Sequence, residues 1–151
     1  MYMDDRTATW KLLEDLAVKS VVESRKQVGL ATTELQRITT QRLQLHDLLD
    51  EYTKKLKDSQ TKEHSINDNA SYRHFINQVN DLINVLQDEQ KKAESVLQIK
   101  EDELIESLKE QKKAEFLLNR QTLCLKQKEE KTEQKQFDEI GVAQFNQRIN
   151  V

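Results

Sequence analysis

The sequence predicts an all-α protein, an antiparallel two-helix coiled coil that forms one long helical hairpin. Three observations predict it. Apolar residues recur at alternating spacings of three and four over most of the chain; one polar cluster interrupts that recurrence; and Pro is absent while Gly occurs only twice in 151 residues. A 3.5-residue period keeps one stripe of a helix facing a partner, and few residues here would break a helix. With 34% charged and 5% aromatic residues, the composition alone would also suit a disordered chain. The 19 leucines, recurring in register, decide for long helices.

The first helix is expected over residues 4–61. One set of stripe positions is Trp10, Ala17, Ser24, Ala31, Ile38, Leu45, Tyr52 and Ser59, and the alternating set is Glu14, Val21, Val28, Leu35, Arg42, Leu49 and Leu56. Most are apolar, and the register never slips. Glu14, Ser24, Arg42 and Ser59 interrupt the stripe; polar seam residues can fix alignment at a cost in stability. Gly29 inside this helix costs ~1 kcal/mol against Ala. It fits either a close approach or a tolerated surface position.

The break is expected over 62–70. Ser65, Asn67, Asp68, Asn69 and Ser71 cluster there, and their short polar side chains favour turns and helix starts. The second helix follows over 71–140. Its stripe reads Tyr72, Ile76, Val79, Ile83, Leu86, Gln90, Ala93, Leu97, Lys100, Leu104, Ser107, Gln111, Ala114, Leu118, Gln121 and Leu125. A polar stretch comes next, then Phe137, Ile140, Val142 and Phe145, with Gly141 a plausible helix stop and a frayed C-terminus beyond. Residues 1–151 thus read as a single coiled-coil domain. Folding back about the break brings Trp10 close to Gln121–Leu125 and gathers both termini at one end. The competing arrangement is one continuous rod dimerising in parallel, for which the polar cluster is a poor seam.

Composition excludes several functions. Lys plus Arg number 24 against 27 Asp plus Glu, a net charge of −3, so the basic excess that phosphate neutralisation needs is missing and no nucleic-acid partner is expected. The longest apolar run is three residues, against the ~20 of a membrane span, so no direct membrane insertion is expected. The N-terminal residues lack the pattern of a secretory signal, and the lone Cys124 fits a reducing cytosol. No glycine loop for phosphate is present, and His46, His64 and His74 are too far apart to share a helical turn. No catalytic residue, cofactor site or metal site is expected, and the chain reads as no enzyme.

The informative excess is apolar residues beyond the seam. Phe75, Val79, Leu82 and Leu86 form a second stripe, and Leu48 and Tyr52 approach the same end from the first helix. This pattern fits a docking face, and equally a core widened where the helices splay before the turn. Leu12, Leu13 and Leu16 beside Trp10, answered by Leu117, Leu118 and Leu123, form an apolar collar at the open end. It would serve either as a small extra core or as an end that enters a partner.

These residues resemble the FliJ family, the stalk and chaperone-escort component of the bacterial flagellar type III export apparatus. Leu13-Glu-Asp15-Leu16-Ala17-Val-Lys19 with Val28-Gly29 resembles the family's first-helix pattern, as do Gln41, Leu45 and Tyr52 at their spacing. Tyr72-Arg-His-Phe75-Ile76 resembles its second-helix start, and Lys135-Gln-Phe137-Asp138-Glu139 its late segment. Each motif is weak alone; their order and the chain length carry the likeness.

The resemblance implies a non-enzymatic stalk, similar in fold to the central stalk of rotary ATPases. It implies three partners: the hexameric flagellar export ATPase, the cytoplasmic linker of the transmembrane export-gate protein, and substrate export chaperones that the stalk escorts and recycles. It implies a cytoplasmic protein held peripherally at the inner face of the cell membrane, at the flagellar base. The gate-binding face would comprise Leu48, Tyr52, Phe75, Val79, Leu82 and Leu86. Phe75 matches the family's aromatic position, Val79 stands where Leu is frequent, and Leu82 and Leu86 differ from the expected types. The ATPase-binding end would comprise Trp10, Leu12, Leu13, Leu16, Leu117 and Leu118. Two alternatives remain at this stage: the equivalent stalk of a virulence-type injectisome, and a generic structural coiled coil that only oligomerises.

Overall fold

The computed structural model describes residues 5–61 and 66–149. Two helices, α1 (Asp5–Thr61, 57 residues) and α2 (Ile66–Ile149, 84 residues), form an all-α antiparallel hairpin. Their contacts fall into two compact units, each built from parts of both helices. One unit joins the first stretch of α1, through Val22, to α2 from Glu106 onward; the other is Glu23–Ile105.

The 3.5-residue period fixes which face turns inward. Every stripe position named above, apolar or polar, is buried or half-buried in both helices. Glu14, Ser24 and Arg42 are drawn into the stripe with their apolar neighbours because helix geometry, not side-chain type, sets the facing direction. The enclosed core is thin. Val21, Ile38, Val79, Ile83, Ala93 and Ala114 are its buried apolar members, and no described side chain is completely enclosed. Two helices cover one another along a single stripe, so each seam residue keeps a solvent edge.

Within Glu23–Ile105, Tyr52 meets Phe75 with ring centroids 4.2 Å apart and Tyr72 edge-on at 6.1 Å. Nearer the turn, the buried Ser59 hydroxyl meets the side-chain carbonyl of Asn69 and the Leu56 backbone carbonyl. In the other unit, the Ser20 and Ser107 hydroxyls lie 3.3 Å apart, and Trp10 and Gln121 line one groove, as folding back about the break requires.

The helix bounds differ from those expected. Ile66–Ala70 belong to α2 instead of the break, and residue 71 is well inside the helix. Asp68 in the first turn suits the positive end of the helix dipole. Asn69 continues the stripe one step before Tyr72, where its amide meets Ser59. Short polar residues that favour turns are here a helix start and a cross-helix contact. Residues 62–65 and Asp4 lie outside the described residues.

At the other end, α2 runs through Gly141 to Ile149 instead of stopping near 140. No described glycine has the positive φ that a glycine helix stop uses. From Lys126 onward every described residue of α2 is exposed, including Phe137, Ile140, Val142, Phe145 and Ile149. This stretch therefore extends without covering from α1.

Candidate docking surfaces

The aromatic cluster of Glu23–Ile105 is built by one spacing on α2 and one ring on α1. Tyr72 and Phe75 are three apart on α2, hence on neighbouring turns of one face, and both reach Tyr52 on α1. Lys55 Nζ stands 4.8 Å from the Tyr52 ring centre while also pairing with Glu51 at 3.2 Å. The Glu51 carboxylate holds the Lys55 ammonium above its ordinary pKa, chiefly through that hydrogen bond. Tyr52, Tyr72 and Phe75 are each half-buried.

One turn further from the connection, a groove of about 660 Å³ runs beside the seam. Leu45 and Leu48 form its wall on α1, and Leu82, Val85 and Leu86 its wall on α2. Gln41, Gln44, Arg37 and Glu89 complete the lining. Leu82 and Val85 are each 53% exposed, while Leu45, Leu48 and Leu86 are half-buried. Arg37 is occupied: its guanidinium donates to both oxygens of Glu34, at 2.6 and 3.0 Å, and to Gln41 Oε1 at 3.2 Å. That fork holds Glu34 below and Arg37 above their ordinary pKa values.

Of the six residues expected on a gate-binding face, five present some surface here. Leu48, Leu82 and Leu86 line the groove, and Tyr52 and Phe75 stack beside one another. Val79 does not: at 2% exposure it is among the most enclosed side chains and packs in the seam. Sequence reasoning missed Val85, which is off the stripe and as exposed as Leu82. Its spacing of three from Leu82 was the signal that could have found it.

In the other unit, the expected collar is open. Leu12, Leu13 and Leu16 are exposed, while Trp10, Leu117 and Leu118 are half-buried. Trp10 lines a groove with Asp5, Arg6, Thr9 and Gln121. Phe116 and Leu123 add exposed apolar surface on the α2 side. The structure therefore leaves the collar as surface and does not close it into an extra core.

Among the described residues no group of three or more His, Cys, Asp or Glu could hold a metal ion, and Cys124 is exposed and unpaired. No described helix is long and apolar enough to cross a membrane.

An antiparallel two-helix coiled coil, with an open apolar collar in one unit and an apolar groove in the other, defines a class of helical-hairpin interaction proteins. The particular family follows from comparison with known proteins. Residues 10–150 match the family described as Flagellar FliJ protein. The chain belongs to the FliJ family. No curated protein and no solved structure matches it. Membership gives the chain a non-enzymatic role in the flagellar export apparatus, as stalk and chaperone escort. It also associates the family in general with the export ATPase, the export gate and the chaperones.

Proposed function

We propose that this chain is the stalk that couples the hexameric flagellar export ATPase to the transmembrane export gate, and that it hands substrate chaperones between cycles. The observation that carries the reading is the presence of two separate apolar surfaces, one in each unit, on a protein that has little enclosed core. Trp10, Leu12, Leu13, Leu16, Leu117 and Leu118 would engage the ATPase. Leu48, Tyr52, Phe75, Leu82 and Leu86 would engage the cytoplasmic linker of the gate, with Val79 supporting them from the seam. The protein would work at the inner face of the membrane through these contacts and not through insertion.

Two purified partners test this. With the export ATPase, the intact chain should raise ATP turnover, and a Leu12→Ser/Leu16→Ser variant should not. With a gate-linker fragment, Leu82→Ser should weaken binding while Leu12→Ser/Leu16→Ser leaves it unchanged. Loss of both activities in either variant, or of neither, would overturn the division of labour between the two surfaces.

A further inference from the structure

The groove lined by Leu45, Leu48, Leu82, Val85 and Leu86 has an unusual electrostatic border. No Lys or Arg occurs between Arg42 and Lys54 on α1, or between Arg73 and Lys91 on α2. Those stretches hold Asp47, Asp50, Glu51, Asp81, Asp88 and Glu89, six carboxylates in a chain whose net charge is only −3. All six are exposed. Asp81 and Asp88 stand four residues before and three after Val85, so they flank it on the same face of α2. Glu89 lines the groove directly, whereas Asp47, which follows His46 and precedes Leu48 on α1, stands outside the lining, as Asp81 and Asp88 do on α2. Among the described residues no ion pair engages Asp47, Asp81 or Asp88. The one cation lining the groove, Arg37, is taken by Glu34.

We infer that this groove takes a basic amphipathic protein segment: apolar side chains seated between Leu48 and Leu82–Val85–Leu86, with flanking Lys or Arg reaching Asp47, Asp81 and Asp88. For the partner's identity, the inference rests on the gate-binding reading above and specifies the chemistry the gate segment must have. Charge complementarity selects this occupant over others. A second copy docked groove to groove would set acid against acid, and an anionic lipid surface or nucleic acid would meet the same repulsion. Apolar burial supplies the adhesion, while the acidic border selects the partner and speeds its approach.

The test uses the full chain and a fluorescent synthetic peptide with Leu and Phe anchors, made in a Lys-flanked and a Glu-flanked version. Anisotropy should show the Lys-flanked peptide binding about tenfold tighter at low salt, as expected for three exposed pairs. The gap should narrow as ionic strength rises from about 50 to 300 mM. The variant Asp47→Asn/Asp81→Asn/Asp88→Asn, with helicity unchanged by circular dichroism, should close most of the gap, Glu89 keeping the remainder. Leu82→Ala should weaken both peptides. Equal binding of the two peptides, a preference for the Glu-flanked one, or a gap that neutralisation leaves unchanged would overturn the inference. So would sedimentation showing a dimer that Leu82→Ala dissociates, since a second copy would then be the occupant. A gate fragment that ignores the chain while the Lys-flanked peptide binds sinks the gate reading alone. A gate fragment bound equally well by the neutralised variant sinks the charge inference alone.

Discussion

Ile83 and Phe75 are both apolar residues of α2, yet only Ile83 is enclosed: it is 4% exposed, whereas Phe75 is half-buried against Tyr52. Ile83→Ala should cost about 2–5 kcal/mol in chemical denaturation, because it removes buried apolar contact from a core with few other enclosed members. Phe75→Ala should cost less, about 1–2 kcal/mol, of which the ring pairing with Tyr52 supplies part. It should weaken gate-linker binding more than Ile83→Ala does. If Phe75→Ala melts the protein as severely and leaves gate affinity unchanged, the ring belongs to the core alone. Glu34 offers a second residue-level check. Its carboxyl titrates below the ordinary value because Arg37 donates to both its oxygens. A depressed folded pKa contributes stability above the unfolded value and loses it as pH falls through the folded one, so the contribution disappears on acidification below about pH 4.5. A carbon-detected titration should place the Glu34 midpoint below the ordinary glutamate value, and Arg37→Gln should raise it. An unchanged midpoint in Arg37→Gln would mean that the fork is not formed in solution.

The helices test a different balance, between backbone freedom and side-chain packing. Gly29 lies inside α1 at an ordinary helical φ, and a Cβ built there meets nothing within 4 Å. Neither reason for keeping glycine, close approach or a left-handed turn, applies. Gly29→Ala should therefore stabilise the protein by about 0.4–1 kcal/mol and raise Tm, through propensity and a less flexible unfolded chain. A lower Tm would mean that glycine has a packing or backbone role at this position after all. The stripe was legible in the sequence for the same geometric reason: residues at a 3.5-residue period must share a face, so even Arg42 and Ser59 were placed correctly. The helix start at Ile66 was not legible, because Asn67, Asp68 and Asn69 have the same local chemistry in a turn and in a first helical turn. Only the contact of Asn69 with Ser59, ten residues earlier on the other helix, decides between them. Val79 misled for a related reason. It belongs to both the seam and the off-seam stripe, and periodicity alone cannot say which neighbour covers it.

At the scale of the whole molecule, the chain keeps much apolar surface that its own fold does not use. Leu12, Leu13 and Leu16 stay exposed in one unit, as do Leu82 and Val85 in the other, and α2 continues past Leu125 with Phe137, Ile140, Val142 and Phe145 uncovered. A hairpin built only for its own stability would gain by replacing them with polar residues. Removing residues 126–151 should leave the melting transition of the remaining coil nearly unchanged, since no described residue of that stretch is even half-buried. Removing residues 1–16 is a sharper test, because it takes away Trp10 and the exposed leucines that the ATPase is proposed to grip. If the stalk seats in a six-fold ring, as proposed, a two-helix hairpin cannot offer one surface to every subunit, and its contact would be asymmetric, with a few apolar anchors amid charged faces. The truncated chain, once circular dichroism shows that it is still folded, should stimulate ATP turnover much less than the intact chain. It should also hold the gate-linker fragment as tightly as before, because the groove lies in Glu23–Ile105. A folded truncation that stimulates as fully as the intact chain would show that the ring engages some other surface, with the uncovered stretch of α2 as the next to test.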